Sequence, residues 1–327
     1  MFQTEPILFL QSLAGDGLTA IMGVLTRLAY PDVLGALVLV VGFGINLRAG
    51  LVLAEAVLWT EVLTAFLKEV LQLPRPAEVD SRVRLLAEGG TGPGAFTGAG
   101  GKGLFDLPDP RAIAAARIAP APSYGFPSSA VSTAAAFWGG TAMVFRSGGL
   151  AAFAAVLVTL TAVSRLYLGR HFIADVAGGA VLGLAVLGGL RRSAVRPLWS
   201  FRSPFWPPVL ALMPLAALLF IPHVDAASAG GLTGVYTARM LLQRGALPVD
   251  RAGPWRRIGR VLVALATYAA VAGTIGLALR TVAIEAEPGW ADYLGTALSV
   301  AAVFWGAVRL SERFGLYRAS RPAGKRA

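Results

Sequence analysis

Between Ser164 and Asp175 the chain reads Ser-Arg-Leu-Tyr-Leu-Gly-Arg-His-Phe-Ile-Ala-Asp, so His171, one of only two histidines in 327 residues, stands beside two arginines and one helical turn before a carboxylate. A neutral imidazole can attack phosphorus. A carboxylate four residues further along a helix can accept a hydrogen bond from one ring nitrogen and leave the other free for that attack. Arg165 adds a planar cation whose paired donors match phosphoryl oxygens. Charged residues make up only 14% of the chain, and a Ser-Arg-x5-His-x3-Asp string set between apolar runs therefore points to phosphate chemistry.

Two further segments carry matching residue types. Lys68 is followed by Arg75-Pro76, and Phe126-Pro127-Ser128-Ser129 opens an apolar run. Lys68, Arg75 and Arg165 can neutralise a phosphoryl group and stabilise charge on its equatorial oxygens. Ser128 and Ser129 stand at an expected helix start, where free backbone N–H groups favour an anion. Taken singly, a lysine or arginine near a span end reads as a snorkelling side chain, and Pro-Ser-Ser as an ordinary helix start. Their shared spacing and sidedness favour one site.

The elements that must position these residues are membrane helices. The chain is 56% hydrophobic with a mean hydropathy of +0.65, and it repeats continuous apolar runs of about 20 residues, the length that crosses a bilayer core. The runs do not alternate in polarity as barrel strands would, so the expected fold is all-α, a polytopic transmembrane bundle of about nine spans. The candidate spans are 19–45, 49–72, 128–145, 148–166, 171–190, 206–222, 226–242, 258–280 and 289–308. Arg27, Tyr30, Pro31 and Asp32 interrupt the first, and the seventh is rich in Gly and small polar residues, so either could be broken or tilted.

The net charge of +11 falls in loops rather than along one soluble face, which excludes a nucleic-acid reading and fits the positive-inside rule. Arg191, Arg192, Arg196 and Arg202, then Arg244, Arg251, Arg256, Arg257 and Arg260, then Arg313, Arg318, Arg321, Lys325 and Arg326 mark cytoplasmic segments. The segment 223–225, the acidic stretch with Glu285, Glu287 and Asp292, and the first 26 residues carry no Lys or Arg and should face outward. Counting through nine spans then places the N-terminus and the three chemical segments on the extracytoplasmic side of a plasma (inner) membrane, with the C-terminus in the cytoplasm. No charged n-region indicates a cleaved signal peptide. The lack of cysteine excludes disulfides and cysteine ligands.

The motifs resemble those of the type 2 phosphatidic acid phosphatase superfamily, which includes lipid phosphate phosphatases, bacterial lipid pyrophosphate phosphatases and, more distantly, vanadium haloperoxidases. Its pattern is Lys-x6-Arg-Pro, then Pro-Ser-Gly-His, then Ser-Arg-x5-His-x3-Asp; the first and third match in full. The resemblance covers roughly residues 49–190, within a phosphatase-like membrane core at 1–190, while 191–327 adds helices and a basic tail that match no motif. It implies a metal-independent phosphohistidine mechanism with His171 as nucleophile, Asp175 orienting it, and Lys68, Arg75, Ser128, Ser129 and Arg165 binding phosphate. The implied substrate is a phosphorylated isoprenoid or glycerolipid taken from the surrounding membrane lipids. No Asp/Glu/His cluster with metal spacing appears and no cofactor is expected.

The second motif departs from the pattern: Pro127-Ser128-Ser129-Ala130 stands where the family has Pro-Ser-Gly-His, and that histidine is taken to protonate the leaving oxygen. A general acid contributes about 10²- to 10⁴-fold. Three explanations compete. A lipid diphosphate expels a phosphate ester with a pKa of about 6, against about 16 for a water-like alcohol, and needs protonation far less. His223, the other histidine, could substitute. Alternatively, the protein binds phosphorylated lipid without efficient turnover, as an impaired enzyme, binder or transporter. Retention of the other motif residues favours the diphosphate.

Three remaining features have structural readings with functional alternatives. Glu55 and Glu61 lie inside span two, as structural groups or as a polar cavity or proton path. Arg239 reads as a snorkelling residue, and Ala226 to Gly234 as a small-residue face for close packing. The Gly- and Pro-rich stretch 77–122 reads as an outer loop or as a lid over the site.

Overall fold

The computed structural model describes residues 1–86, 94–119, 124–195, 206–220, 224–243, 253–282 and 288–317. His223, the loops carrying Arg196, Arg202, Arg244, Arg251, Glu285 and Glu287, and the tail from Arg318 onward lie outside them. The described residues form α1 (Glu5–Ser12), α2 (Asp16–Arg27), α3 (Pro31–Leu39), α4 (Leu47–Leu71), α5 (Pro76–Val79), α6 (Pro110–Arg117), α7 (Ser129–Ala134), α8 (Gly140–Phe145), α9 (Gly148–Tyr167), α10 (Ile173–Val195), α11 (Trp206–Phe220), α12 (Ala226–Gln243), α13 (Pro254–Val282) and α14 (Pro288–Arg313), with no strand among them. The all-helical membrane class expected from the apolar runs holds.

Among the described residues five stretches are long and apolar enough to cross a membrane: Leu47–Val79, Gly148–Tyr167, Ile173–Arg191, Pro254–Ile275 and Gly289–Arg313. A sixth arises if Asp16–Arg27 and Pro31–Ile45, which meet at a 54° bend, count as one. The break falls where Tyr30-Pro31-Asp32 interrupts the hydropathy, since proline disfavours helical backbone in the residue before it. The count is thus lower than the nine apolar runs. The run at 128–145 divides into α7, a wider π-helical turn at Ala135–Gly139, and α8. Among the described residues, the run at 206–222 holds the 15 helical residues of α11, which contain Pro214.

Two compact units emerge, one comprising Met1–Leu34 with Thr60–Gly189 and the other Gly35–Trp59 with Leu190–Ala327. The border thus falls within α4. In the second unit Phe43 stacks on Phe304 with ring centroids 6.1 Å apart. A Cβ on Gly231 would lie 2.7 Å from the Leu58 side chain. The small-residue face of α12 is a packing face: a Cβ at Gly230 would meet the Tyr293 carbonyl at 2.1 Å and one at Gly234 the Ala297 carbonyl at 2.6 Å.

In the first unit the helix ends are set by local chemistry. Ser147 Oγ accepts from the Leu150 N–H at 3.2 Å and opens α9. Gly169, at φ +73°, takes the left-handed backbone that ends it. Helix α10 therefore starts at Ile173, and His171 and Phe172 occupy the tight connection before it. Phe172 is buried with Phe2, Ile7, Val79 and Val83, so the residue after His171 anchors the connection in an apolar core.

Candidate active site

His171 is buried, and its Nδ1 faces Asp175 Oδ2 at 3.3 Å. The same oxygen accepts the Phe172 N–H at 2.8 Å, while Asp175 Oδ1 has no hydrogen-bond partner among the described residues. Asp175 thus holds both the ring and the backbone on which the ring is carried. Its own carbonyl accepts the Ser128 N–H at 2.9 Å, which ties the start of α10 to the start of α7. Gly125 completes the crossing: a Cβ there would sit 2.9 Å from both Asp175 Oδ2 and the Pro74 carbonyl, too close for any larger residue to fit without a shift.

The cations converge on this point from α4, α9 and the residue that precedes α5. Lys68 Nζ donates to the Tyr124 carbonyl at 2.5 Å and to the Gly125 carbonyl at 3.4 Å. Arg165 is buried and donates from Nη1 to Thr26 Oγ1 at 2.8 Å. Arg75 precedes α5, where its N–H donates to the Glu78 carboxylate at 2.7 Å, and its charge lies within electrostatic reach of Arg165, Arg170 and Asp175. Lys68 is within similar reach of Arg75, Arg165, Asp175 and Glu61. The structure thus brings Lys68, Arg75, Arg165, His171 and Asp175 together. Ser128 is buried beside them with no partner for its Oγ among the described residues. Ser129 is half-buried, and its carbonyl accepts the Ser132 and Thr133 hydroxyls at 2.9 and 2.8 Å.

Thr26 and Arg170 escape motif reading. Thr26 is 139 residues from Arg165 and carries no local signal. Arg170 is buried next to His171, and its adjacency to the nucleophile candidate was its only mark in the sequence. Ala130 is buried among Ala29 and Ala134, with Trp138 and Val158 packed against them. The position at which the resemblance expects an acid therefore has an apolar setting.

His171 lies in the connection between the spans carried by α9 and α10. Burial, then the charges of Arg165, Lys68 and Arg75, hold its imidazole well below the ordinary histidine range, against a backbone hydrogen bond with Gly125 that acts in the opposite sense. The ring is therefore neutral, and nucleophilic, at neutral pH. By linkage, a depressed folded-state value means that the unfolded chain binds more protons as pH falls through about 6.5, so the folded state loses stability there. Measured relative to His171→Gln, the melting temperature of the ligand-free protein should fall as pH drops from 7.5 to 5.5.

Three glycines on α10 let it approach α7 closely. A Cβ at Gly178 would meet the Phe126 ring at 2.5 Å, one at Gly179 the Ser128 carbonyl at 2.6 Å, and one at Gly183 the Ser132 carbonyl at 2.4 Å. Because α10 follows His171 and α7 follows Ser128, this contact sets the distance between two parts of the site. Gly179→Val should cost about 1–3 kcal/mol from overpacking and lower activity beyond its effect on folding, measured by thermal denaturation beside phosphate release.

The PAP2 superfamily model matches residues 49–198, just under half of the chain, and the match spans Lys68, Arg75, the Pro127-Ser128 start and the His171–Asp175 pair. Residues 49–198 are thus similar to the PAP2 superfamily. No curated protein and no solved structure matches the chain. PAP2 proteins in general hydrolyse phosphate esters and act on phosphorylated lipids. The PAP2 match begins within α4 and ends just beyond α10, so it takes in the candidate site but not α11 to α14.

Proposed function

We propose that this protein is a membrane phosphohydrolase that cleaves lipid diphosphates through a phosphohistidine. The observation that carries the reading is the buried His171–Asp175 pair at 3.3 Å with Lys68, Arg75 and Arg165 gathered around it. Asp175 fixes Nδ1, so Nε2 attacks phosphorus. The new N–P bond forms as the P–O bond to the leaving group breaks, and the electron pair departs on that oxygen. Lys68, Arg75, Arg165 and the Ser128 hydroxyl hold the equatorial oxygens, and Ser129 lies at the edge of the same anion site. Water then attacks the phosphohistidine, releases inorganic phosphate and returns the free imidazole.

The apolar setting of Ala130 supports the diphosphate as substrate. Transfer of the phosphoryl group from a lipid monophosphate expels the lipid alkoxide, which requires a proton, whereas transfer of the terminal phosphoryl group from a diphosphate expels the lipid monophosphate, which is stable as an anion. Sidedness follows from one helix. The site stands at the N-terminal end of α10, and Arg191 and Arg192 at its C-terminal end. The positive-inside rule puts the arginines in the cytoplasm and the site on the extracytoplasmic face. In a bacterial cell this would be the plasma membrane.

The same Ala130 contacts favour a second reading, a lipid-phosphate binder or transporter with little turnover. Phosphate release from matched lipid mono- and diphosphates separates the two. The hydrolase predicts cleavage of the diphosphate at least tenfold faster than the monophosphate, with Ala130→His raising only the latter. Lipid binding that depends on Arg75 and Arg165, with no phosphate released from either lipid, would establish the binder instead.

A further inference from the structure

The loop between α5 and α6 contains a tight turn with an apolar centre. The Gly103 N–H donates to the Asp106 carboxylate at 2.6 Å, and the Asp106 N–H donates back to the Gly103 carbonyl at 3.4 Å. Leu104 and Phe105 therefore occupy the two central positions, which turns ordinarily fill with Gly, Pro, Asn, Asp or Ser. Leu104 is 58% exposed, Phe105 81% and Leu107 55%. Closure through Asp106 also satisfies polar groups at the ends of the turn, as entry into an apolar phase requires.

The same segment is tied to the end of a membrane helix. At the end of α6, Arg117 Nη2 donates to the Leu71 carbonyl, the last residue of α4, at 3.4 Å. Ile118, 84% exposed, follows directly, and Val70 and Leu71 are themselves exposed on α4. Ile118 thus lies beside the outer end of a spanning helix. Lys102, Arg111 and Arg117 are exposed on the same segment, and cations at that level suit lipid phosphate groups. The loop is also anchored close to the site: the Gly101 N–H donates to the Phe2 carbonyl at 2.8 Å, and the Ala174 N–H, one residue before Asp175, donates to the Met1 carbonyl at 3.3 Å. Phe2 stands edge-on to Phe172 at 5.5 Å.

We propose that Leu104, Phe105, Leu107 and Ile118 insert into the bilayer interface on the side of His171 and hold the catalytic residues level with the lipid headgroups. The partner is the lipid surface itself. Such a foot lets a phosphorylated headgroup reach the cations without the lipid leaving its leaflet.

The chain has no cysteine, so a Phe105→Cys variant reconstituted in phosphatidylglycerol-containing vesicles accepts one environment-sensitive fluorophore. Its emission should be quenched by doxyl-labelled lipid and protected from aqueous iodide, whereas the same label on Ser81→Cys should behave the other way. A label at 105 open to iodide and indifferent to doxyl lipid would overturn the proposal. A second arm rests on the hydrolase reading. The combined Leu104→Ser, Phe105→Ser and Leu107→Ser variant should turn over long-chain lipid in vesicles about tenfold more slowly, while keeping its rate on a soluble short-chain lipid diphosphate. Equal losses on both substrates would make these residues structural and count against insertion. If no protein turns over either lipid, the hydrolase reading fails while the fluorescence still decides the foot.

Discussion

His171→Ala should abolish phosphate release, by roughly 10³-fold or more, because in the proposed mechanism it removes the atom to which phosphorus is transferred. The substitution deletes a buried ring that is neutral, so it leaves no buried charge without its partner and folding should survive; thermal denaturation beside the assay checks this. The informative companion is Asp175→Asn. An amide can still accept the Phe172 N–H, so the connection should keep its shape. It no longer carries the charge that stabilises an imidazolium-like nitrogen as the N–P bond forms. Turnover should fall about 10²- to 10⁴-fold, with KM little changed. Protein quenched in alkaline detergent after incubation with lipid diphosphate carrying ³²P in its terminal phosphoryl group should carry a base-stable, acid-labile label only when His171 is present. An undiminished label in His171→Ala would remove the phosphohistidine from the mechanism.

The second large effect is expected far from the motifs, within the second unit. Arg239 Nη1 lies 2.8 Å from Glu55 Oε2, both residues are buried, and Tyr236 donates its hydroxyl to Glu55 Oε1 at 2.7 Å while accepting from Trp59 Nε1 at 3.0 Å. Arg239 does not reach for the interface as a snorkelling residue would; its guanidinium also stands 5.9 Å from the centre of the Tyr236 ring. Removing one member strands the other in an apolar phase. Arg239→Leu should therefore destabilise the protein by about 3–5 kcal/mol, whereas Glu55→Leu combined with Arg239→Leu should recover most of that loss. Detergent-solubilised thermal denaturation of the two single variants and the double variant forms the cycle. Purely additive losses would show that the pair is not coupled.

Much of the site was legible because its residues are fixed by local spacing. Asp175, in the first turn of α10, reaches back to His171 in the connection just before it, and Lys68 and Arg75 flank one helix end. Partners that depend on tertiary structure left no such trace. Thr26 reaches Arg165 across most of the first unit, and Arg239 reaches Glu55 from a helix that looked like an independent span. Hydropathy located the apolar runs but not their continuity: it cannot tell a straight helix from the π-helical turn that divides α7 from α8. The assignment of Gly35–Trp59 to the second unit was equally hidden, since it depends on contacts such as Phe43 with Phe304. The interruption at Tyr30-Pro31-Asp32 was the exception, because proline writes its backbone preference directly into the sequence.

That interruption places two features of the site on one elbow. Thr26, at the end of α2, holds Arg165, and Ala29, just before the bend, packs with Ala130 and accepts the Thr133 hydroxyl at 3.2 Å. A straight span meets a thicker or thinner bilayer by tilting as a whole, but a span bent by 54° can instead open or close its angle. Any such change would shift Arg165 and Ala130, the proposed phosphate-binding cation and the proposed leaving-group wall, together. The acyl-chain length of the host membrane would then act on the chemistry through hydrophobic mismatch at a hinge, without touching the substrate.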